Sequence, residues 1–557
     1  MKTATAFLAL LLLTLLTYKV LHGVENLTAV QRNDGGYYLN VASHIRDGHG
    51  IATNVSIYHK GYTYFPHESS VAPLWPLLLG GLGLLFPLIP AAIAVNSLLY
   101  FITLLVGYRW ARRTWPEDLF APKLNGVHAG HVWVLVMGFN FAFFHYTSLP
   151  YTEGVAFSLL LLLILRAERL FEKPGIRSGL ELGLWLGILI LARGQMVLVS
   201  MAALGALGLC IVVGARRAAS MTMAAVSIVT AALVLLPEYL YIRTFIPDAG
   251  LTSVLRFDQN RATEFLSAIP VLVPTTGIWD YIVDRAPGFL YAYNPTEEFS
   301  YFPVFNGAEW SVLIALPAAL VWLLEQTKPG SWSRWRNALL EPRAIALCFV
   351  VLLALGGFFS LHTLHKVFGS PWNFGRRQAL IAGLLFFLAI VWMLRRRQKV
   401  SFAAVSLVLI FSSVGGMLRM GEAIREGDKS MNPAVYRKEL VEFLLADSAR
   451  LGRPLVVTAP AFEAVRLARL TGTSVNYHWV FWDTTKSDYR ALFDKLGVDY
   501  ALIPEWFTYK QGTLDGIAEV HRSGSGGARI FKRRPPEPDG PEPILRVNPR
   551  DSSKRGD

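Results

Sequence analysis

As far as residue 418 the chain is dominated by apolar runs of about 16 to 24 residues, each long enough to cross a hydrocarbon core roughly 30 Å thick. They fall near 4–21, 91–108, 131–148, 154–166, 178–192, 195–213, 219–242, 308–325, 344–361, 378–394 and 401–418. No ordinary soluble domain carries such a succession. Across all 557 residues, 53% are hydrophobic and 17% charged, which fits the same class. The expected fold is a polytopic α-helical membrane protein of about 11 spans.

The run 71–88, VAPLWPLLLGGLGLLFPL, is also apolar, but it holds Pro73, Pro76, Pro87 and the pair Gly80-Gly81. It reads as a juxtamembrane or re-entrant helix. With 71–88 set aside, the basic clusters Arg109/Arg112/Arg113, Arg166/Arg169/Lys173/Arg177, Arg216/Arg217, Lys328/Arg334/Arg336/Arg343 and Arg395/Arg396/Arg397/Lys399 all face one side. Positive charge marks that side as cytoplasmic. The net charge of +13 is spread over these links and the tail, which argues for contact with anionic lipid and against nucleic acid. The first run has a basic start but no small-residue cleavage pattern after it, so it is expected to be retained as a span. Cys210 and Cys348 lie inside apolar runs and offer no disulfide framework.

The opposite side receives the outer loops 22–90, 243–307 and 362–377 and everything after 419. Residues 1–418 therefore form the membrane domain and 419–532 a small extracytoplasmic domain. In the latter, Asn432-Pro433 opens an amphipathic helix through Val435, Leu440, Val441, Leu444 and Leu445. Strands are expected at 454–459 and 498–504, helices over PAFEAVRLARL and SDYRALFDKLG, and a hairpin through SGSGG at 523–527. That alternation indicates an α/β domain. Residues 533–557, rich in Pro and charge, read as a disordered tail.

The outer polar residues supply both signs of charge. The acids are Asp34, Glu68 and Glu153, and the bases Arg193, His362, His365, Lys366, Arg376 and Arg377. Apolar walls beneath a polar roof suit a substrate that is half lipid and half polar. Glycosyl transfer from a polyprenyl-phosphate sugar needs a carboxylate to accept the acceptor's proton and cations to hold the departing phosphate. Arginine suits the second task because it stays charged and binds phosphate in a fork. Each residue also has a plainer role. Asp34 before Gly35-Gly36 can cap a helix beginning near Tyr37, Glu153 can complement a helix dipole, and Glu68 is better read as a cap. Arg193 and one of Arg376/Arg377 can be snorkelling anchors. No HExxH spacing is present.

The order of a first span, the segment NDGGYYLNVASHIRDGHG, the Pro-bearing PHESSVAPLWPLLLGGLGLLF and a span ending YRWARRTW resembles the GT-C class of polyprenyl-phosphate-sugar-dependent membrane glycosyltransferases. That class includes the protein O-mannosyltransferase and lipid A aminoarabinose transferase group. YTEGVAFSLLLLLILRA, ILARGQMVLVS and FGRRQALIAGLLFFLAI are similar to later segments of that class, and LGVDYALIP beside LARLTG to its outer α/β domain. The resemblance implies that Asp34 is the catalytic base and that Arg193 with Arg376 or Arg377 lies near the donor phosphate, with His365 and Lys366 as further phosphate-binding candidates. Glu153 and Glu68 remain secondary acidic candidates. It implies inverting transfer to a hydroxyl of a glycan, lipid or protein at the outer face of a bacterial inner membrane, with no cofactor required and a divalent metal less favoured. Asn33 stands where an adjacent acid is common in the class, and TTGIWDY lacks the second Trp of the oligosaccharyltransferase WWDYG pattern. A lipid-linked-sugar flippase and a non-catalytic scaffold are the alternatives.

Overall fold

The computed structural model describes residues 2–25, 33–57, 67–69, 71–119, 126–213, 217–245, scattered helical residues between 345 and 424, 434–480, 493, 497–504, 517–522 and 528–533. By contacts the chain divides into two units: Met1–Thr53 with His67–Asn432, and Asn54–Pro66 with Pro433–Asp557.

The first unit opens with α1 (Lys2–Glu25), followed by α2 (Asn33–Arg46). In α1 the hydroxyls of Thr14 and Thr17 donate to the carbonyls one turn earlier, at 2.9 and 3.0 Å. Polar side chains are thus satisfied inside an apolar helix. Two short strands, β1 (Ala52–Thr53) and β3 (His67–Glu68), pair antiparallel, while β2 (Val55–Ile57) between them belongs to the second unit. Helix α3 (Leu74–Leu82) has nine residues, about 13 Å, too short to cross a bilayer. It packs on α2 through Gly80, where a Cβ would sit 2.6 Å from Ile45 Cγ2.

Helices α4 (Leu88–Thr114), α5 (Ala129–Gly138), α6 (Phe141–Tyr146), α7 (Glu153–Glu172), α8 (Ile176–Ala192), α9 (Val197–Val213) and α10 (Arg217–Phe245) follow. The run 131–148 is not one helix. Asn140 interrupts it, its side-chain oxygen accepting from the Phe143 N–H at 3.0 Å and starting α6 afresh. Among the described residues three helices are long and apolar enough to cross a membrane: Thr5–Gly23, Leu88–Thr114 and Arg217–Thr244. The spans counted at 308–325, 344–361, 378–394 and 401–418 fall wholly or partly outside the described residues.

Small residues and hydroxyls set the helix contacts, as expected where lipid supplies no hydrophobic drive between helices. Gly179, Gly183 and Gly187 line one face of α8 against α10; a Cβ at these positions would meet Val226 Cβ at 2.8 Å, Ser227 O at 2.5 Å and Val234 Cβ at 2.7 Å. Ser227 donates across to Gly179 O at 3.1 Å. Between α4 and α7, Thr103 donates to Ser158 at 2.9 Å. The buried aromatics Trp75, Tyr100, Trp133, Phe143, Phe144 and Phe157 fill the interior.

The second unit is an α/β domain of α11 (Ala434–Leu451), β4 (Leu455–Pro460), α12 (Ala461–Thr471), β5 (Val475–Val480), β6 (Tyr500–Pro504), β7 (Ile517–Arg522) and β8 (Ala528–Arg533). Its six-stranded sheet runs β2-β5-β4-β6-β8-β7. The first four strands are parallel, and β8 and β7 close the sheet antiparallel. The hairpin expected through 523–527 is the β7–β8 pairing, with Arg522 opposite Arg529. Two side-chain bonds seat the helices. Tyr500 donates to Asp447 of α11 at 2.6 Å, and Tyr477 and Thr471 of α12 share a bond of 3.1 Å. Most of SDYRALFDKLG lies outside the described residues.

Candidate functional site

The stretch from Thr147 to Thr152 leads from α6 into α7 and is held by side chains from three other helices. Lys19 of α1 is 1% exposed, and its Nζ donates to Phe144 O at 2.7 Å, Thr147 Oγ1 at 2.8 Å and Ser148 Oγ at 2.8 Å. The same ammonium lies 4.3 Å from the Tyr100 ring centroid and 4.5 Å from that of Phe144. All three N–H groups are used, and the charge sits at the carbonyl end of α6, where a helix dipole favours it. Trp75 of α3 donates to Pro150 O at 2.9 Å. Asn96 of α4 donates to Leu149 O and to Tyr151 O, the latter at 3.2 Å. Gly154 permits this, since a Cβ there would stand 2.1 Å from Asn96 Oδ1.

This braced turn delivers Glu153 to the first turn of α7. The Glu153 carboxylate is fully buried and paired with the Arg193 guanidinium, whose side chain is 12% exposed. Thr152 Oγ1 touches both, 3.4 Å from Glu153 Oε2 and 3.5 Å from Arg193 Nη1. Arg193 is placed by the end of α8: its N–H still donates to Leu189 O at 2.9 Å, while its own backbone is extended, with φ −162 and ψ 117. The extended residue ends the helix, and a 3-10 turn, Gly194–Met196, leads into α9. Two residues read separately in the sequence therefore form one buried ion pair. Removing either partner would strand a charge in a water-poor site.

The other sequence candidates are placed as follows. Asp34 lies in the first turn of α2, which begins at Asn33 rather than near Tyr37. The Asp34 side chain lies outside what is described, as does that of Glu68, which sits in β3 opposite Ala52. His365, Lys366, Arg376 and Arg377 lie outside the described residues altogether.

Reading the sequence missed Lys19 and its neighbours His22 and His145. His22 is fully buried, with Nε2 3.3 Å from His145 Nδ1. The available signal was a lysine one helical turn before a histidine at the end of an otherwise uncharged run. It also missed Glu238, 8% exposed in α10. Among the described residues no three His, Cys, Asp or Glu side chains come together to hold a metal, and Glu153 is committed to Arg193 and Thr152.

No family model matches the sequence, and no curated protein matches it either. Solved structures do match in fold. The Archaeoglobus fulgidus oligosaccharyltransferase in complex with Zn and sulfate superposes at a TM-score of 0.54 and 10% identity, covering 88% of this chain and 68% of that one. The same enzyme tethered to an acceptor peptide containing the NVT sequon gives 0.52 and 11% identity, covering 89% and 69%. The chain shares the fold of this oligosaccharyltransferase. ArnT from Cupriavidus metallidurans bound to undecaprenyl phosphate aligns over 95% of this chain and 98% of its own at 12% identity, with a TM-score of 0.47, too low to add to the comparison. Glu153 opens α7 and Arg193 follows the last residue of α8, so the buried pair sits at one end of both helices.

Proposed function

We propose that the protein transfers a sugar from a polyprenyl-phosphate donor to an acceptor hydroxyl at the extracytoplasmic face of a bacterial inner membrane. The observation that carries this reading is a buried guanidinium and carboxylate at the end of apolar helices in a GT-C fold. In this reading Asp34 accepts the proton of the attacking hydroxyl, and the oxygen attacks the anomeric carbon from the face opposite the phosphate. The C–O bond to the lipid phosphate then breaks, with inversion. Arg193, with Arg376 or Arg377 and His365 and Lys366 from the loop 362–377, holds the phosphate as its charge grows.

The test supplies radiolabelled polyprenyl-phosphate sugars and an envelope acceptor fraction to the purified protein in nanodiscs, comparing the parent with Asp34→Asn. General-base loss predicts a fall of about 10²- to 10⁴-fold in transfer with folding unchanged. Equal transfer by both proteins would remove Asp34 from the mechanism and leave the transferase standing.

A further inference from the structure

Arg193 already holds an anion. Glu153 is fully buried against it and Thr152 Oγ1 bridges the two, so any phosphate that reaches the guanidinium meets a carboxylate in place. Carboxylate and phosphate oxygens compete for the same donors, because both are planar-edge or tetrahedral anions that take the parallel N–H groups of a guanidinium. A one-for-one exchange keeps the buried guanidinium compensated at every stage, whereas phosphate added beside Glu153 would crowd two anions into a water-poor site.

Resting on the donor class proposed above, we infer that the donor phosphate displaces the Glu153 carboxylate from Arg193. Three features make the exchange local. Glu153 is in the first turn of α7, where backbone N–H groups support a carboxylate that has left its cation. Thr152 Oγ1 stands within reach of both groups and serves whichever anion is present. The preceding turn is fixed by Lys19, Trp75 and Asn96, so the side chain swings while its backbone stays.

The experiment titrates a synthetic polyprenyl phosphate, with the matching polyprenol as control, into the full-length protein in phosphatidylcholine nanodiscs. The parent is compared with Glu153→Gln, Glu153→Asp and Arg193→Gln, each checked for unchanged elution and thermal unfolding. Exchange predicts that Glu153→Gln, which removes the competing charge, binds the phosphate about tenfold tighter than the parent. Glu153→Asp, whose shorter reach loosens the pair, gives a smaller gain and serves if the Gln variant fails to fold. Arg193→Gln binds at least tenfold more weakly. Weaker or equal binding by the Glu153 variants overturns the exchange and makes Glu153 an orienting partner of Arg193. Full binding by Arg193→Gln overturns the exchange and the phosphate role of Arg193 together. A parent that binds the phosphate no better than polyprenol sinks the donor class itself.

Discussion

Asn54 and Val475, 421 positions apart, are joined by a bond of 2.8 Å from the Asn54 side-chain amide to the Val475 carbonyl, and the same amide donates to Gly472 O at 2.7 Å. Tyr477 N–H returns a bond to Asn54 O at 2.8 Å. Asn54 also opens the tripeptide Asn54-Val55-Ser56, a glycosylation sequon by pattern, yet its side chain is 1% exposed and both amide hydrogens are used. The amide locks the edge strand β2 into the sheet.

Asn54→Ala leaves two carbonyls without their donor and is expected to destabilise the α/β domain by about 1–3 kcal/mol. Thermal unfolding of the full-length protein reads this as an earlier transition. Unchanged unfolding would mean that β2 is held by its backbone alone. The folded protein is expected to be refractory to glycan addition at Asn54, which mass spectrometry checks after expression in a glycosylating host.

Two glycine replacements are expected to have opposite signs. At Gly183 an added methyl meets the Ser227 carbonyl at 2.5 Å and the helices must part, a loss of about 1–3 kcal/mol. At Gly81, in α3, nothing lies within 4 Å. Alanine there is expected to stabilise by up to about 1 kcal/mol through helix propensity. Melting temperatures in one detergent decide both.

His128 caps α5 with its own ring: Nδ1 accepts from the Gly130 N–H at 3.2 Å, and Nε2 lies 3.3 Å from the Tyr108 hydroxyl. Burial, then the neighbouring His131 and Arg112, push its pKa down from 6.5 to about 4, against a small opposing effect of Asp118. A depressed histidine pKa means the unfolded chain binds the extra proton first. The stabilisation is therefore complete above pH 6.5 and is lost as pH falls from 6.5 to about 4. Unfolding measured across that window should flatten in His128→Asn, which caps without titrating.

Lys19→Met keeps the length of the side chain and removes three donors from an enclosed site. The acceptor groups left behind are expected to cost about 1–3 kcal/mol each where they find no new partner. Limited proteolysis in nanodiscs should then open the stretch 147–152 ahead of global unfolding. An unchanged cleavage pattern would show that Trp75 and Asn96 suffice to hold it.

Periodicity reads best where each element buries one face by itself. The apolar runs foretold α4, α7, α8, α9 and α10, with ends displaced by up to six residues, because a sustained apolar run marks a helix by hydropathy alone. Asn140 escaped notice, because a single polar residue inside an apolar run signals a break only when its side chain is seen capping the next helix. In the α/β domain, β4 and β6 stand out as short apolar runs. β5, reading VNYHWV, places Asn476 and His478 at buried positions, and polar residues mask a strand that is interior on both faces. β2 could not be inferred, since three residues in a polar loop acquire strand character only from a partner strand 422 positions away, Val55 pairing with Tyr477. The Glu153–Arg193 pair was legible as two residues but not as one site, because the turn that unites them is set by Lys19, Trp75 and Asn96 rather than by local pattern.

The assignment of Val55–Ile57 to the edge of the second unit's sheet has a consequence for how the protein is made. Gly472, whose carbonyl holds Asn54, is synthesised 418 residues after it. Throughout that interval β2 must wait as a bare edge, a form prone to pairing with the wrong chain. A fragment beginning at Pro433 would carry β5 with one side open. The membrane part and the α/β domain cannot be separated by a single cut, and each nascent molecule must keep its own first loop in reserve until its last strands emerge.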